Sequence, residues 1–305
     1  MQAMRIHRYG DASVIRQEYI PRPAPGHGEV LIQVAATSFN PSDIGLRRGL
    51  LRAIFPLDLP CTLGAEVAGT VVEVGDAVQA LAVGDRVIGR GEGTAANYVT
   101  AAADTLVAAP AAIPLAHAAA IPVAGVTAWQ AVFEHARVAS GQRVLVNGAG
   151  GGVGGFAVQL AKHAGAHVVA TASPRSTDAV RQLGADQIID YTTTPVADAL
   201  DEPVDAILNL VVVSARQATT LVQLVRPGGV VVSATVPVQV PTDSPVTAVH
   251  FVARNDTSDL AALVKLVDAG VVRVDVTASR PLTDLASIHR DAESGRIRGK
   301  VILVP

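Results

Sequence analysis

Apolar residues in the first third of the chain fall into short β-branched runs at 30–35, 67–74 and 86–88, broken by Gly, Pro and Asp. Runs of that length between turn formers predict strands, so a mainly β region is expected before about residue 110. After about residue 140 the period changes. Apolar runs at 143–147, 167–171, 187–190, 206–210, 230–234 and 249–252 alternate with helical patterns at 153–164, 176–183, 195–200 and 214–225. Six strands alternating with helices predict a parallel, doubly wound sheet. A helix over 258–269 ends at Gly270, and the closing GKVILVP resembles the opening β segments more than the sheet strands. The first domain is therefore expected to be completed by the C-terminus, with the α/β unit inserted: 1–120, 121–254 and 255–305.

Composition narrows the partners. The 305 residues are 50% apolar with net charge -3 and no run of Lys or Arg, so neither nucleic acid nor an anionic membrane surface is expected. The single cysteine, Cys61, excludes an internal disulfide framework and suits a reducing, cytoplasmic setting. The N-terminus, with Arg5, Arg8 and Asp11, lacks the apolar core of a signal peptide. Residues 105–133 contain no Asp, Glu, Lys or Arg, a length that spans a bilayer. Three prolines and many alanines divide that stretch, which is read instead as a buried connection between domains.

Residues 147–156, NGAGGGVGGF, include six glycines. A strand, RVLVN, leads in, and a helix with Val153, Ala157, Leu160, Ala161 and Ala164 on one stripe leads out. This is the context of a dinucleotide fingerprint, in which a turn and a helix N-terminus present backbone N–H groups to a pyrophosphate. Two registers fit. A literal G-x-G-x-x-G falls on Gly150, Gly152 and Gly155, whereas the helix stripe places the close-packed residue at Gly154, giving Ala149, Gly151 and Gly154.

An NAD site carries an acid roughly 20 residues on, at the end of the second strand. Here that strand ends ATASPRST, with Ser173 and Arg175, and no carboxylate occurs between Lys162 and Asp178. A hydroxyl and a guanidinium suit a 2′-phosphate, which favours NADPH. The same residues also read as an exposed turn with Ser176 as N-cap.

These segments resemble the medium-chain dehydrogenase/reductase superfamily, in particular its zinc-independent quinone oxidoreductase branch. SFNPSDIGLRRG, LGAEVAGTVVEVGDAVQALAVGDRVIG, IPVAGVTAWQAV, the glycine segment, LGADQIIDY, RPGGVVVSA and GKVIL follow that pattern in order. The resemblance implies a GroES-like mainly-β catalytic domain plus a Rossmann domain, with nicotinamide and substrate between them. It also implies the Ala149, Gly151, Gly154 register, with Gly150, Gly152 and Val153 in the same cradle. Alcohol dehydrogenases of the superfamily hold zinc with a Cys near N-P-x-D and a His in G-H-E; here Asn40 and Ala65 stand there, leaving Glu66. Without a Lewis acid, reduction of a quinone or conjugated enone is the expected chemistry.

By the same resemblance Asn40 reaches the nicotinamide ribose or substrate oxygen, and Thr127 touches the cofactor. Local sequence reads them equally as a turn residue before Pro41 and a packed helix threonine. Asn209 and Ser233, Ala234 and Thr235 end the fourth and fifth strands, where ligands lie over such a sheet. Phe251 and Val252 end the sixth, their backbone set to hold a carboxamide. Glu66 and Asp85 are read as buried or half-buried structural acids, and Trp129 as interdomain packing. Two departures matter: Leu50 and Leu51 replace a tyrosine of many branch members, and Val212 and Val213 replace paired glycines. A small apolar carbonyl or quinone substrate and a homodimer paired near 246–253 complete the expectation. The alternatives are a dedicated ketone or enoyl reductase and a non-catalytic NADPH-binding protein.

Overall fold

The computed structural model describes residues 1–305, the side chain of Ala215 excepted. Two compact units emerge: Met1–Val123 with Asn255–Ala269 and Val276–Pro305, and Ala124–Arg254 with Gly270–Asp275.

The first unit opens with strands β1 (Gln2–Ile6), β2 (Arg16–Tyr19) and β3 (Glu29–Ser38), then helix α1 (Pro41–Arg47). Strands β4 (Cys61–Thr62), β5 (Glu66–Val74), β6 (Arg86–Arg90), β7 (Tyr98–Ala102) and β8 (Leu106–Ala108) follow. The apolar stretch at 105–133 contributes β8 and helices α2 (Leu115–Ala118) and α3 (Pro122–Trp129), and Ala118 to Ile121 are fully buried.

In the second unit β9 (Arg143–Asn147), α4 (Gly152–His163), β10 (His167–Ala172), α5 (Thr177–Gln182) and β11 (Gln187–Asp190) come first. Then come α6 (Val196–Ala199), β12 (Val204–Asn209), α7 (Ala215–Gln223), β13 (Val225–Ser233) and β14 (Thr247–His250). The chain closes with α8 (Thr257–Asp268), β15 (Val276–Pro281), α9 (Leu285–Glu293) and β16 (Lys300–Val304).

The second unit is the doubly wound sheet that the alternation predicts: six strands in the order β11-β10-β9-β12-β13-β14, every adjacent pair parallel. Its middle strands are mainly apolar because both faces are covered, and Leu145, Val169, Ile207 and Val231 are fully buried. Strand order reverses between β9 and β12, where such sheets open their ligand crevice.

In the first unit the main sheet runs β15-β16-β3-β5-β6-β8, with β7 also on β3. The C-terminal strand enters it antiparallel to β3, with Ile302 opposite Ser38 and Leu303 opposite Thr37. The long strand β3 bends at two register irregularities against β5, which lets it serve more than one partner.

Several boundaries differ from the sequence expectation. Strand β13 begins at Val225, because that residue pairs with Val204 ahead of a register shift. The sixth strand ends at His250, so Phe251 and Val252 lie beyond the sheet. Asp85 is exposed rather than half-buried, its carboxylate accepting the Ala82 N–H in an open turn. Trp129 is half-buried, its ring centroid 4.6 Å from that of Phe133, a contact that leaves its reading as interdomain packing untested.

Candidate active site

The glycine segment forms a tight turn from β9 into α4. Gly148 adopts φ +98°, a left-handed conformation, and an added Cβ there would meet Val211. Gly151 is the N-cap, and its N–H donates to the Gly148 carbonyl at 3.1 Å. The first intrahelical donor after it is Gly155, to the Gly151 carbonyl, so the N–H groups of Gly152, Val153 and Gly154 lie ahead of the helical ladder.

Steric space separates the two registers. A Cβ on Gly154 would lie 2.1 Å from the Gly148 carbonyl oxygen and 2.6 Å from the Ala149 Cα, both backbone. On Gly155 it would meet only the Leu183 side chain, at 3.3 Å. Gly151 is exposed and has φ -88°, with nothing nearer to its Cβ position than 3.4 Å. The protein itself does not require glycine at 151. A cradle that a Cβ would partly fill fits a diphosphate laid against the helix N-terminus.

Beneath this loop a chain of side-chain hydrogen bonds crosses the strand ends. The Gly148 N–H donates to Thr171 Oγ1 (2.8 Å), which donates to Asn147 Oδ1 (3.0 Å). Asn147 Nδ2 donates to Asn209 Oδ1 (2.9 Å), and Asn209 Nδ2 donates to Ser233 Oγ (3.1 Å) and Thr235 Oγ1 (3.2 Å). Asn209 and Ser233 are fully buried. Their place is therefore under the site, while the half-buried Ala234 and Thr235 stand at its rim.

At the end of β10, Ser173 is half-buried and Arg175 exposed. The Ser176 hydroxyl does not cap α5; it accepts the Ser173 N–H and donates to the Ser173 carbonyl, each at 3.2 Å, closing the turn on itself. An added Cβ on Gly150 would strike that hydroxyl at 2.5 Å, so loop and turn touch. Tyr191, which sequence reasoning passed over, follows the end of β11 and donates its backbone N–H to the Ala172 carbonyl (3.3 Å), at the residue before Ser173, and the residue is 56% exposed. The signal was present in its position directly after a strand, next to the turn already singled out.

Phe251 and Val252 part company: the Phe251 ring is buried against His135, centroids 4.3 Å apart, while Val252 is exposed. The Phe251 N–H is spent on the Ser233 carbonyl (3.1 Å), so backbone contact to a ligand falls to the Phe251 carbonyl and Val252. Thr127 lies half-buried within α3.

Asn40 belongs to the first unit, where it precedes α1 and is buried in a charged network. Its Nδ2 donates to Glu66 Oε1 (2.6 Å) and its Oδ1 accepts from Lys300 Nζ (2.8 Å). Lys300 also donates to Glu66 Oε1 (3.0 Å) and the Phe39 carbonyl (3.2 Å). Glu66 Oε1 accepts the Ser38 hydroxyl as well, and Oε2 accepts the Val123 N–H at 2.7 Å. Asp43 accepts the Asn40 N–H (2.9 Å), and burial pushes its carboxyl up to about 7 despite that bond and the Lys300 charge. The Lys300 side of this network was not foreseen, because a lysine 260 residues from Asn40 carries no local signal.

This donor set does not suit zinc. Asn40 and Ala65 replace a thiolate and an imidazole, and Glu66 already faces an ammonium. Among the described residues no three His, Cys, Asp or Glu side chains gather. Cys61 is half-buried, and burial raises its thiol, which disfavours a nucleophilic role. The Leu50–Leu51 position holds no tyrosine, but the fold brings Tyr9 against Gly49, its hydroxyl accepting the Leu57 N–H at 3.2 Å.

A mainly β unit closed by its C-terminal strand, and a doubly wound sheet with a glycine turn at its switch point, define a two-domain nucleotide-dependent oxidoreductase fold. Residues 26–111 match the alcohol dehydrogenase GroES-like domain, and residues 183–303 the zinc-binding dehydrogenase family. The chain is 40% identical over 213 residues to a chloroplast envelope quinone oxidoreductase homolog of Arabidopsis thaliana, covering 67% of this chain and 64% of that protein. It is 32% identical over 320 residues to a chloroplastic NADPH-dependent alkenal/one oxidoreductase of the same plant, covering 100% of this chain and 80% of the relative. The Escherichia coli quinone oxidoreductase complexed with NADPH superposes with a TM-score of 0.90 at 25% identity, each chain covered completely (100%). The chain belongs to the medium-chain dehydrogenase/reductase superfamily, in its zinc-independent quinone oxidoreductase branch. Among the described residues, no helix is long and apolar enough to cross a membrane.

Proposed function

We propose that the protein is an NADPH-dependent oxidoreductase that delivers hydride to a quinone or an α,β-unsaturated carbonyl. The observation that carries this reading is the joined loop and turn. Free N–H groups at the start of α4 meet a diphosphate, and the adjoining Ser173–Arg175 turn offers a hydroxyl and a guanidinium where an NAD site would hold a carboxylate. Tyr191 stands beside that turn as a further contact for the adenosine phosphate. The relatives named for quinone and alkenal/one reduction, and the neighbour complexed with NADPH, support the same chemistry.

Bound NADPH supplies the hydride. The chain's own residues bind and orient: the helix N-terminus neutralises the diphosphate, Phe251 and Val252 offer backbone to the carboxamide, and Thr127 and Asn40 offer side-chain hydrogen bonds. The reduced oxygen takes its proton from solvent, since no tyrosine occupies the Leu50–Leu51 position. A reducing compartment such as the cytoplasm suits the lone cysteine. A homodimer paired through β14 would cover an edge strand bonded only to β13. Size exclusion at several concentrations tests it, and a constant monomer mass would reject it.

The decisive test of the nucleotide is a titration of NADPH and NADH against wild type and Arg175→Ala. NADPH affinity falls by about 1–3 kcal/mol while NADH changes little, as expected for one charge-assisted contact to the 2′-phosphate. Equal loss for both nucleotides rejects the assignment. Turnover is tested by NADPH oxidation with a panel of quinones and enones in metal-free buffer.

A further inference from the structure

The Lys300–Glu66 pair is fully enclosed, 3% and 0% exposed, with the two charged atoms 3.0 Å apart. Buried ion pairs are seldom retained for stability, because desolvation offsets most of the attraction and apolar residues of similar volume fold as well. What this pair does besides is hold Asn40. The amide lies between a carboxylate oxygen and an ammonium, so only one orientation is allowed: Nδ2 toward Glu66 and Oδ1 toward Lys300. The flipped amide would set its N–H groups against the ammonium and its oxygen against the carboxylate.

An ammonium has three donors, and Lys300 spends all three, on Phe39, Asn40 and Glu66. The amide has two N–H donors, of which Glu66 takes one. The second is thereby fixed in direction as a donor for an acceptor oxygen.

We propose that Lys300 is a positioning residue: with Glu66 it locks the Asn40 amide so that the remaining N–H is presented to a ligand oxygen, either the ribose hydroxyl of the nicotinamide half or the carbonyl that receives hydride. This rests on the reading that Asn40 meets the bound reactants. The charges add to this, since a donor-only ammonium and an acceptor-only carboxylate on the two sides of an amide make its flip costlier than neutral partners would. The neighbouring Asp43 carboxyl holds the Asn40 backbone N–H, so backbone and side chain are fixed by separate groups.

The experiment uses the full chain and a mutant cycle. Lys300→Met alone strands the Glu66 charge and unfolds some of the protein, so the working variant is Glu66→Gln with Lys300→Met, in which neither charge remains. Its folding is verified by its thermal midpoint and by its NADPH affinity, read from nucleotide fluorescence. Asn40→Ala is expected to lower kcat/KM for a simple quinone about 10- to 100-fold, in line with the loss of one hydrogen bond to a reacting oxygen. The double variant is expected to lose a similar factor, and adding Asn40→Ala to it costs no more than about threefold further, because the amide is already unlocked.

Losses that multiply, or a double variant with wild-type kcat/KM, overturn the proposal. An Asn40→Ala variant with wild-type kinetics removes its premise and also overturns it, while leaving NADPH-dependent turnover by the wild type intact as the separate test of the proposed activity. A second readout is independent of turnover. The Asn40 side-chain amide in a 15N spectrum gives two dispersed, slowly exchanging protons in wild type and collapses toward the free-amide position in the double variant. Retention of the dispersed pair in the double variant counts against the lock even if no acceptor is reduced.

Discussion

A single methyl group distinguishes the glycines of the β9–α4 turn. Gly154 is pressed against backbone on two sides, and backbone atoms 2.1 and 2.6 Å away from a new Cβ have nowhere to go. Gly154→Ala therefore pushes the first turn of α4 away from Gly148 and costs about 1–3 kcal/mol, the range for overpacked positions. Gly155 lies next to it in the chain but faces only the end of Leu183, a side chain that rotates. Gly155→Ala is expected to fall within about 1 kcal/mol of wild type, since helix propensity favours alanine by a similar amount. Urea unfolding of the two variants, with NADPH titration alongside, measures both. Comparable loss at 154 and 155 would restore the literal register at Gly150, Gly152 and Gly155.

At the scale of elements, α1 carries Asn40 at its start and is anchored by titratable groups at both ends. Its last residue, Arg47, is fully buried and donates to His289 Nδ1 of α9 at 3.3 Å, as well as to Glu293. His289 Nδ1 must accept, so the ring is neutral, and burial followed by the Arg47 charge depresses it from 6.5 to about 3. Asp43, in the first turn, is instead raised from 3.8 to about 7, chiefly by burial. The signs are opposite. The Asp43 contribution is fully present below about 3.8 and lost as pH rises toward 7. The His289 contribution is present above 6.5 and lost as pH falls toward 3. Between pH 4.5 and 6.5 the two slopes oppose each other, each up to about 1.4 kcal/mol per pH unit. Relative to wild type, Asp43→Asn should gain stability with rising pH across that window, and His289→Phe should gain it with falling pH. Urea midpoints at pH 4.5, 5.5 and 6.5 supply the comparison, and slopes of the same sign in both variants would sink the account. Local pattern made most elements legible: β9 and β11 fall on their expected residues because an apolar run between turn formers has one reading. What stayed hidden depends on pairing across long separations. Val225 joins a strand because Val204 reaches it, and α1 is held by His289, 242 positions from Arg47. The glycine cradle and the Ser173–Arg175 turn could be read from neighbours in sequence, whereas the locking of Asn40 by Lys300 required the fold.

For the whole molecule, the same dependence on the C-terminus gives a directional test of how the chain is held together. Strand β16 adds Val301, Ile302 and Leu303 to the first unit, at 3%, 0% and 1% exposure, and supplies the only ammonium in hydrogen-bond contact with Glu66 among the described residues. Three buried aliphatic side chains are worth about 1.5–3 kcal/mol each, so their joint removal approaches the roughly 5–15 kcal/mol that holds a typical domain. Stranding the Glu66 carboxylate adds to that loss. The second unit, by contrast, takes all six strands of its sheet from β9 to β14 and none from the C-terminal strand. Deletion of residues 300–305 should accordingly abolish slow hydrogen exchange in β3 and β5 while β9 and β12 keep theirs, with NADPH still bound by the surviving sheet. Loss of protection in both sheets together would show that the chain unfolds as one cooperative block, and that the first unit's closing strand governs the nucleotide site as well as the fold around Asn40.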